Sequence, residues 1–173
     1  MRQGKLFKSV RAAISLDETA MFNVVLTDNG FRKWILDLNR SQLFQGEDSE
    51  GKSLGDIGGG YSFTTEFLNE GVRFTFKPSD SEFGDVEGGS KGKVQGQDPF
   101  LLDTGDYYSS YTLKVGNGLF KIESDPFKDG ENLEDSFGNN LEGLQDKNLQ
   151  KVINAIRKTF SKEVRSLITA KAV

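Results

Sequence analysis

The chain has 173 residues and contains neither cysteine nor histidine. Those absences exclude a disulfide framework, a cysteine-based zinc or iron–sulfur site, a cysteine nucleophile, a Ser-His-Asp triad, a zinc-water hydrolase and a histidine-ligated haem. The net charge of −4 disfavours a free-standing, sequence-specific nucleic-acid binder, which needs basic surface to displace counterions.

No apolar run approaches the roughly 18 residues of a membrane span, and no signal-like apolar core stands near the N-terminus. The expectation is a soluble chain made in a cytoplasm, folding as one domain over residues 1–173. Leu6, Val10, Ala13 and Ile14 fall at helical spacing and predict a short helix over 5–14. Asp17 is placed to cap a second segment, Glu18 to Leu26, which reads as helix or, through Met21–Val25, as strand. Asp28 is a stronger N-cap. After it Phe31, Ile35, Leu38 and Gln42 form a stripe, with Trp34 and Leu43 beside it, predicting an amphipathic helix of about four turns. Residues 45–60 are a loop by composition, and alternation in 61–67 and 72–77 predicts a hairpin turning at Asn69–Gly71.

Residues 78–98 hold five glycines, one proline and few apolar side chains, and predict an exposed loop or flexible arm. A turn and short helix follow over 98–111, then a second hairpin with Gly116-Asn117-Gly118 at its tip. Residues 125–144 look irregular around one helical turn at Leu133. From Gln145 to Ile168, Leu149, Val152, Ile153, Ile156, Phe160, Val164, Leu167 and Ile168 recur at three- and four-residue steps, predicting a long amphipathic helix. The class is α+β: an antiparallel sheet of four or more strands, built from two hairpins, packed with N-terminal helices and the C-terminal helix.

Charge is unevenly distributed. Residues 1–40 carry +3, residues 41–144 carry −12 and residues 145–173 carry +5. The basic helix either lies against its own acidic body or meets the acidic face of another copy, a head-to-tail contact that closes into a ring. Lys151, Lys158, Lys162 and Arg165, off the apolar stripe, are the candidate contacts of the second arrangement, and they predict association weakened by salt.

Three motifs suggest chemistry. Gly46 to Ser53 matches the phosphate-binding pattern G-x4-G-K-S at every specified position. That loop must follow a buried strand and open a helix. Here the preceding segment is helical, Leu54–Ser62 is too glycine-rich for a stable helix, and three carboxylates lie inside the loop, so a solvated loop is expected. Leu101-Leu102-Asp103-Thr104-Gly105 is how aspartic peptidases present a catalytic carboxyl, and one copy of the motif demands a homodimer whose two Asp103 share a proton. The long terminal helix does not suit that family. The alternative is a helix N-cap at Asp103 or Thr104, with Asp106 as capping-box partner and Tyr107, Tyr108 and Tyr111 anchoring the sheet. Asp48, Glu50 and Asp56, or Asp125, Asp129 and Glu131, offer oxygen ligands for Ca2+ without calcium-loop spacing, so a solvated acidic surface and no bound metal or cofactor are expected.

Two segments carry a resemblance. Asn39, Gln42-Leu43, Gly46, Asp48, Gly51 and Leu54 resemble the G-x-D-x-x-G-x-x-L loop of small phage virion-assembly proteins, especially those of Bacteroidetes phages and prophages. The segment LLDTGDYYSSYTLKV resembles the L-x-D-T-G-x-L-x-x-S element of tail-completion and neck proteins. Asp103, Thr104, Gly105 and Ser110 match it, and Tyr107 stands where leucine is usual. The resemblance spans about residues 30–168, with 78–98 as an insertion and the aromatic-Gly segment reduced to Phe137-Gly138. It implies a structural, non-enzymatic virion protein, a ring subunit of the neck or head–tail junction joining connector to tail. Its implied partners are further copies of itself and neighbouring connector and tail proteins, with the genome passing through the ring lumen. A baseplate-type virion protein and a homodimeric DTG peptidase are the alternatives.

Overall fold

The computed structural model describes residues 25–116, 119–128 and 130–170. The segments expected over 5–14 and from Glu18 onward lie outside these, except that Val25 and Leu26 are helical and buried. The hairpin tip at 117–118 and Asp129 also lie outside.

Helix α1, Asn29–Phe44, is the spine of the molecule. Asp28 caps it, its Oδ1 accepting from Phe31 N at 2.7 Å. Phe31, Trp34, Ile35, Leu38, Leu43 and Phe44 are all buried. Residues 78–98, expected as an exposed loop or flexible arm, run along this helix with no residue fully buried. Phe83 meets Phe31 edge-on at 4.8 Å, and Trp34 Nε1 donates to Gly84 O at 2.9 Å. Ser79 N donates to Asp37 Oδ2, Ser41 Oγ donates to Glu87 O, and Lys91 Nζ donates to Phe44 O. Composition underrated the segment because its binding to the spine runs largely through its backbone.

The expected hairpin over 61–77 does not form. Leu54–Gly58 (α2) and Phe63–Leu68 (α3) are single-turn helices, capped by Ser53 and Ser62. The cap at Ser53 is what lets the glycine-rich stretch after it turn helical. Strand β1, Phe74–Phe76, pairs instead with β2, Gly89–Lys91, in register Thr75↔Ser90. A Cβ on the neighbouring Gly88 would sit 2.6 Å from Phe76 O, so this approach requires glycine.

Helix α4, Asp106–Ser110, precedes the expected second hairpin, β3 Thr112–Gly116 with β4 Leu119–Glu123. Leu113 and Ile122 face each other across it and are both buried. Arg32 of α1 donates to the Leu113 carbonyl and fixes the hairpin to the spine. A short ribbon, β5 Phe127–Lys128 with β6 Glu131–Asn132, leads into the expected helical turn, α5 Leu133–Phe137, and a 3-10 turn at Asn139–Leu141. The final helix α6 covers Asp146–Ala170. The fold is α+β, but among the described residues its strands make three separate two-stranded antiparallel ribbons rather than one sheet. The core is aromatic: Phe100 lies within 6 Å of the rings of Phe44, Tyr61 and Phe74.

Candidate functional site

The phosphate-pattern loop is folded around its own side chain. Asp48 is fully buried, and its Oδ1 accepts from Glu50 N at 2.9 Å and Lys52 N at 2.8 Å. These are N–H groups that a phosphate would need. Gly46 and Gly51 have φ of +87° and +79°, Asp48 N donates to Lys52 O, and Glu47 bridges Ser53, which closes the loop on itself. Lys52 pairs with Glu50 at the surface. Asp48 is therefore an internal ligand and not part of the solvated acidic surface expected for it. Among the described residues no three acidic side chains converge on a cation position.

This loop docks on a buried polar latch that composition does not reveal. Gln42 Nε2 donates to Gly143 O at 2.7 Å, and its Oε1 accepts from Gln145 N and Asn148 Nδ2. Asn39 Nδ2 donates to Leu141 O and Gly143 O. Gln145 Nε2 donates to Asp48 O and to Glu47 Oε2. Asn39, Gln42, Gln145 and Asn148 are all buried, so the stripe of α1 carries amides that fasten it to the start of α6. The polar residues interrupting the apolar periodicity at 39 and 42 were the available signal. The hydrogen bond from Gln145, outweighing partial burial, together with Lys147 holds the Glu47 carboxyl below its usual range.

The DTG segment is likewise occupied. Asp103 Oδ1 lies 3.1 Å from Lys93 Nζ and its Oδ2 3.5 Å from Lys128 Nζ. Lys93 is only 9% exposed along its side chain and sits 4.3 Å over the Phe74 ring. Burial pushes the Asp103 carboxyl up, but Lys93 and then Lys128 outweigh it and leave it below the usual carboxylate range. A dyad that shares a proton needs the opposite. The expected cap holds in part. Gly105, at φ +91°, makes the turn and occupies the N-cap position of α4 with no side-chain bond of its own, while Thr104 Oγ1, 2.6 Å from Asp106 Oδ2, accepts from Asp106 N at 3.4 Å; Asp103 takes no part. Asp103 faces lysines instead because Gly105 turns the chain away from it.

The tyrosines anchor as expected, though to loops as well as strands. Tyr108 OH donates to Phe100 O at 2.6 Å and its ring meets Phe76, while Tyr61 OH accepts from Phe100 N. Burial, partly offset by that bond, pushes the Tyr61 hydroxyl up to about 12, so it stays protonated. Tyr111 OH lies 2.7 Å from Tyr107 OH and 3.2 Å from Leu141 O. Ser110 Oγ donates to Tyr107 O and accepts from Asp125 N, tying α4 to the chain after β4.

Among the described residues, two apolar surfaces stand open. On α3, Phe63 is 64% exposed, Phe67 65% and Leu68 73%, and the two phenyl rings stack at 6.3 Å. Val72, Val94 and Ile57 are exposed as well. Elsewhere, an open groove of about 520 Å3 runs between α6 and the β3–β4 hairpin, lined by Leu119, Phe120, Leu149, Val152, Ile153 and Ile156. Lys151, Lys158, Lys162 and Arg165 are exposed on the same helix. No helix among the described residues is long and apolar enough to cross a membrane. No family model, curated protein or solved structure matches the chain.

Proposed function

We propose that the chain is a non-enzymatic structural component of a tailed-phage virion, a ring subunit at the neck or head–tail junction that joins connector to tail. One observation carries this reading: both segments that resemble the assembly family are engaged in holding the chain. Asp48 is enclosed by its own loop, and Asp103 is neutralised between Lys93 and Lys128. A motif built for positioning has that character, whereas a catalytic or phosphate-binding motif leaves its polar groups aimed at a ligand. Two separate exposed apolar surfaces on one small chain also favour an assembling protein over a free monomer.

In this reading the subunit's partners are its own copies and the adjoining connector and tail proteins, with the packaged genome crossing the lumen. Native mass spectrometry and negative-stain imaging of the purified chain test it. The expected result is a closed ring of defined stoichiometry, alone or on addition of connector particles. A chain that stays monomeric at every concentration and leaves connectors undecorated overturns it.

A further inference from the structure

We infer that the pocket where the glycines at 58–60 meet the DTG segment binds a monocarboxylate carried on an apolar body, an acylated amino acid or the carboxylate end of a peptide. This site is independent of the ring reading above.

The charges of the pocket do not balance. Its space of about 380 Å3 is lined by Lys93, Lys128 and Asp103 and, among the described residues, by no other charged side chain. Asp103 turns one oxygen to each lysine, at 3.1 Å and 3.5 Å. One carboxylate thus serves two ammonium groups, and one positive charge is left over. The two lysine side chains are only 9% and 17% exposed, so water neutralises that surplus poorly. Lys93 is also held in place, its Nζ 4.3 Å from the centroid of the Phe74 ring and 5.8 Å from that of Tyr61. A second carboxylate in the pocket would complete a set of two cations and two anions.

The remaining walls suit an apolar body. Leu101, Leu102, Leu133 and Phe137 line the same space, with the hydroxyl-bearing Ser62 and Thr65. Apolar walls with a few converging polar groups are the usual form of a small-ligand pocket. The walls are built closely: a Cβ on Gly58 would lie 2.5 Å from the Phe137 ring, so glycine lets α2 and α5 meet there. Leu101 has φ +49°, the one positive φ outside glycine among the described residues. Backbone strain of that kind gathers at ligand-holding positions. A surplus of one charge beside apolar walls matches a monocarboxylate better than a doubly charged phosphate.

Calorimetric titration of the full chain with N-acetyl-leucine, and with N-acetyl-leucinamide as the uncharged control, tests this. The acid should bind saturably with a dissociation constant of about 1 mM or tighter, and the amide at least about 10-fold more weakly. Two substitutions should move the affinity for the acid in opposite directions. Lys128→Gln removes the surplus charge and should weaken binding at least about 10-fold, whereas Asp103→Asn doubles the surplus and should tighten it about 3-fold or more. A short peptide ending in leucine separates the two sources of carboxylate: tighter binding than acetyl-leucine assigns the pocket to a chain terminus, and equal or weaker binding to a free acid. Absence of saturable binding by the acid, equal uptake of acid and amide, or weaker binding by Asp103→Asn would overturn the assignment, as would an affinity that ignores Lys128→Gln. Should a variant misfold, the acid-to-amide ratio on the wild type decides alone. Formation or absence of rings does not enter any of these readouts.

Discussion

Residues 39–54 and residues 57–72 adjoin in the chain and sort their side chains in opposite ways. The first stretch buries Asn39, Gln42 and Asp48, while the second exposes Ile57, Phe63, Phe67, Leu68 and Val72. Burying polar groups is tolerable only where each finds partners. Most of those partners are at hand: the Asp48 loop and the amide latch take up Gly143 O, Gln145 and Asn148, while Asn39 Oδ1 and Asp48 Oδ2 stay buried without a partner. Nothing comparable covers the apolar face of α3 among the described residues. The contrast separates what the fold uses for itself from what it leaves to others.

The sharpest break of this comparison is Asp48→Ala. Two loop N–H groups lose their acceptor inside the protein, which should cost about 3 kcal/mol. For a domain this size that lowers the thermal midpoint by roughly 6–12 °C. Asp48→Asn keeps the Oδ1 acceptor and should cost about 1 kcal/mol. Equal effects of the two in a thermal melt would show that the loop does not depend on that oxygen.

Asp103→Asn is expected to come next, at roughly 1–2 kcal/mol, because it strands the nearly buried Lys93 ammonium more than it loses a surface pair. Its pH dependence has a defined sign. The folded carboxyl titrates below its unfolded value, so its contribution is complete above about pH 4–5 and disappears as pH falls through the lowered folded value. Denaturant midpoints of wild type and Asp103→Asn should therefore differ at neutral pH and converge in acid. A gap that persists unchanged to pH 2 would assign the loss to packing.

Phe63→Ser with Phe67→Ser should change monomer stability by no more than about 0.5 kcal/mol per site, as exposed positions do. A large loss of stability would mean these rings serve the fold, and the contrast between the two stretches would fail. Smallest in stability is the reversal of Lys151, Lys158 and Lys162 to Glu. It should leave the melt nearly unchanged and block assembly, and wild-type assembly should weaken as salt is raised. Size-exclusion at low and high salt reads this; indifference to both salt and reversal would make the basic helix a merely solvated face.

Elements with a local code were legible. Asp28 and the stripe behind it specified α1, the 112–123 alternation specified its hairpin, and the three- and four-residue steps specified α6. The 61–77 segment was not. Tyr61, Phe63 and Phe67 fit an alternating strand, but Phe63 and Phe67 are also four apart, and Ser62 offers a cap. A short run satisfies both periods, and only the pairing of β1 with Gly89–Lys91 decides between them. That partner was invisible because backbone approach at Gly88 and Gly89 matters there more than β-forming side chains. For the candidate site, sequence located Asp48 and Asp103 but not their surroundings. Lys93 and Lys128, ten and twenty-five positions away, reach Asp103 only through the fold.

The Asp48 loop behaves as a receptor already occupied by a tethered guest. Untethering the guest makes the seat addressable from solution. Asp48→Gly deletes the carboxyl and keeps the surrounding N–H groups of Glu50 and Lys52. Small carboxylates then become candidate substitutes by chemical rescue, and occupancy becomes a matter of mass action. Formate should raise the melting point of Asp48→Gly in a saturable way and leave the wild type unmoved. The same seat would accept no nucleotide, since its walls are Gln145 and the loop's own backbone, and formate-dependent recovery would measure how much of the loop's order resides in one side chain.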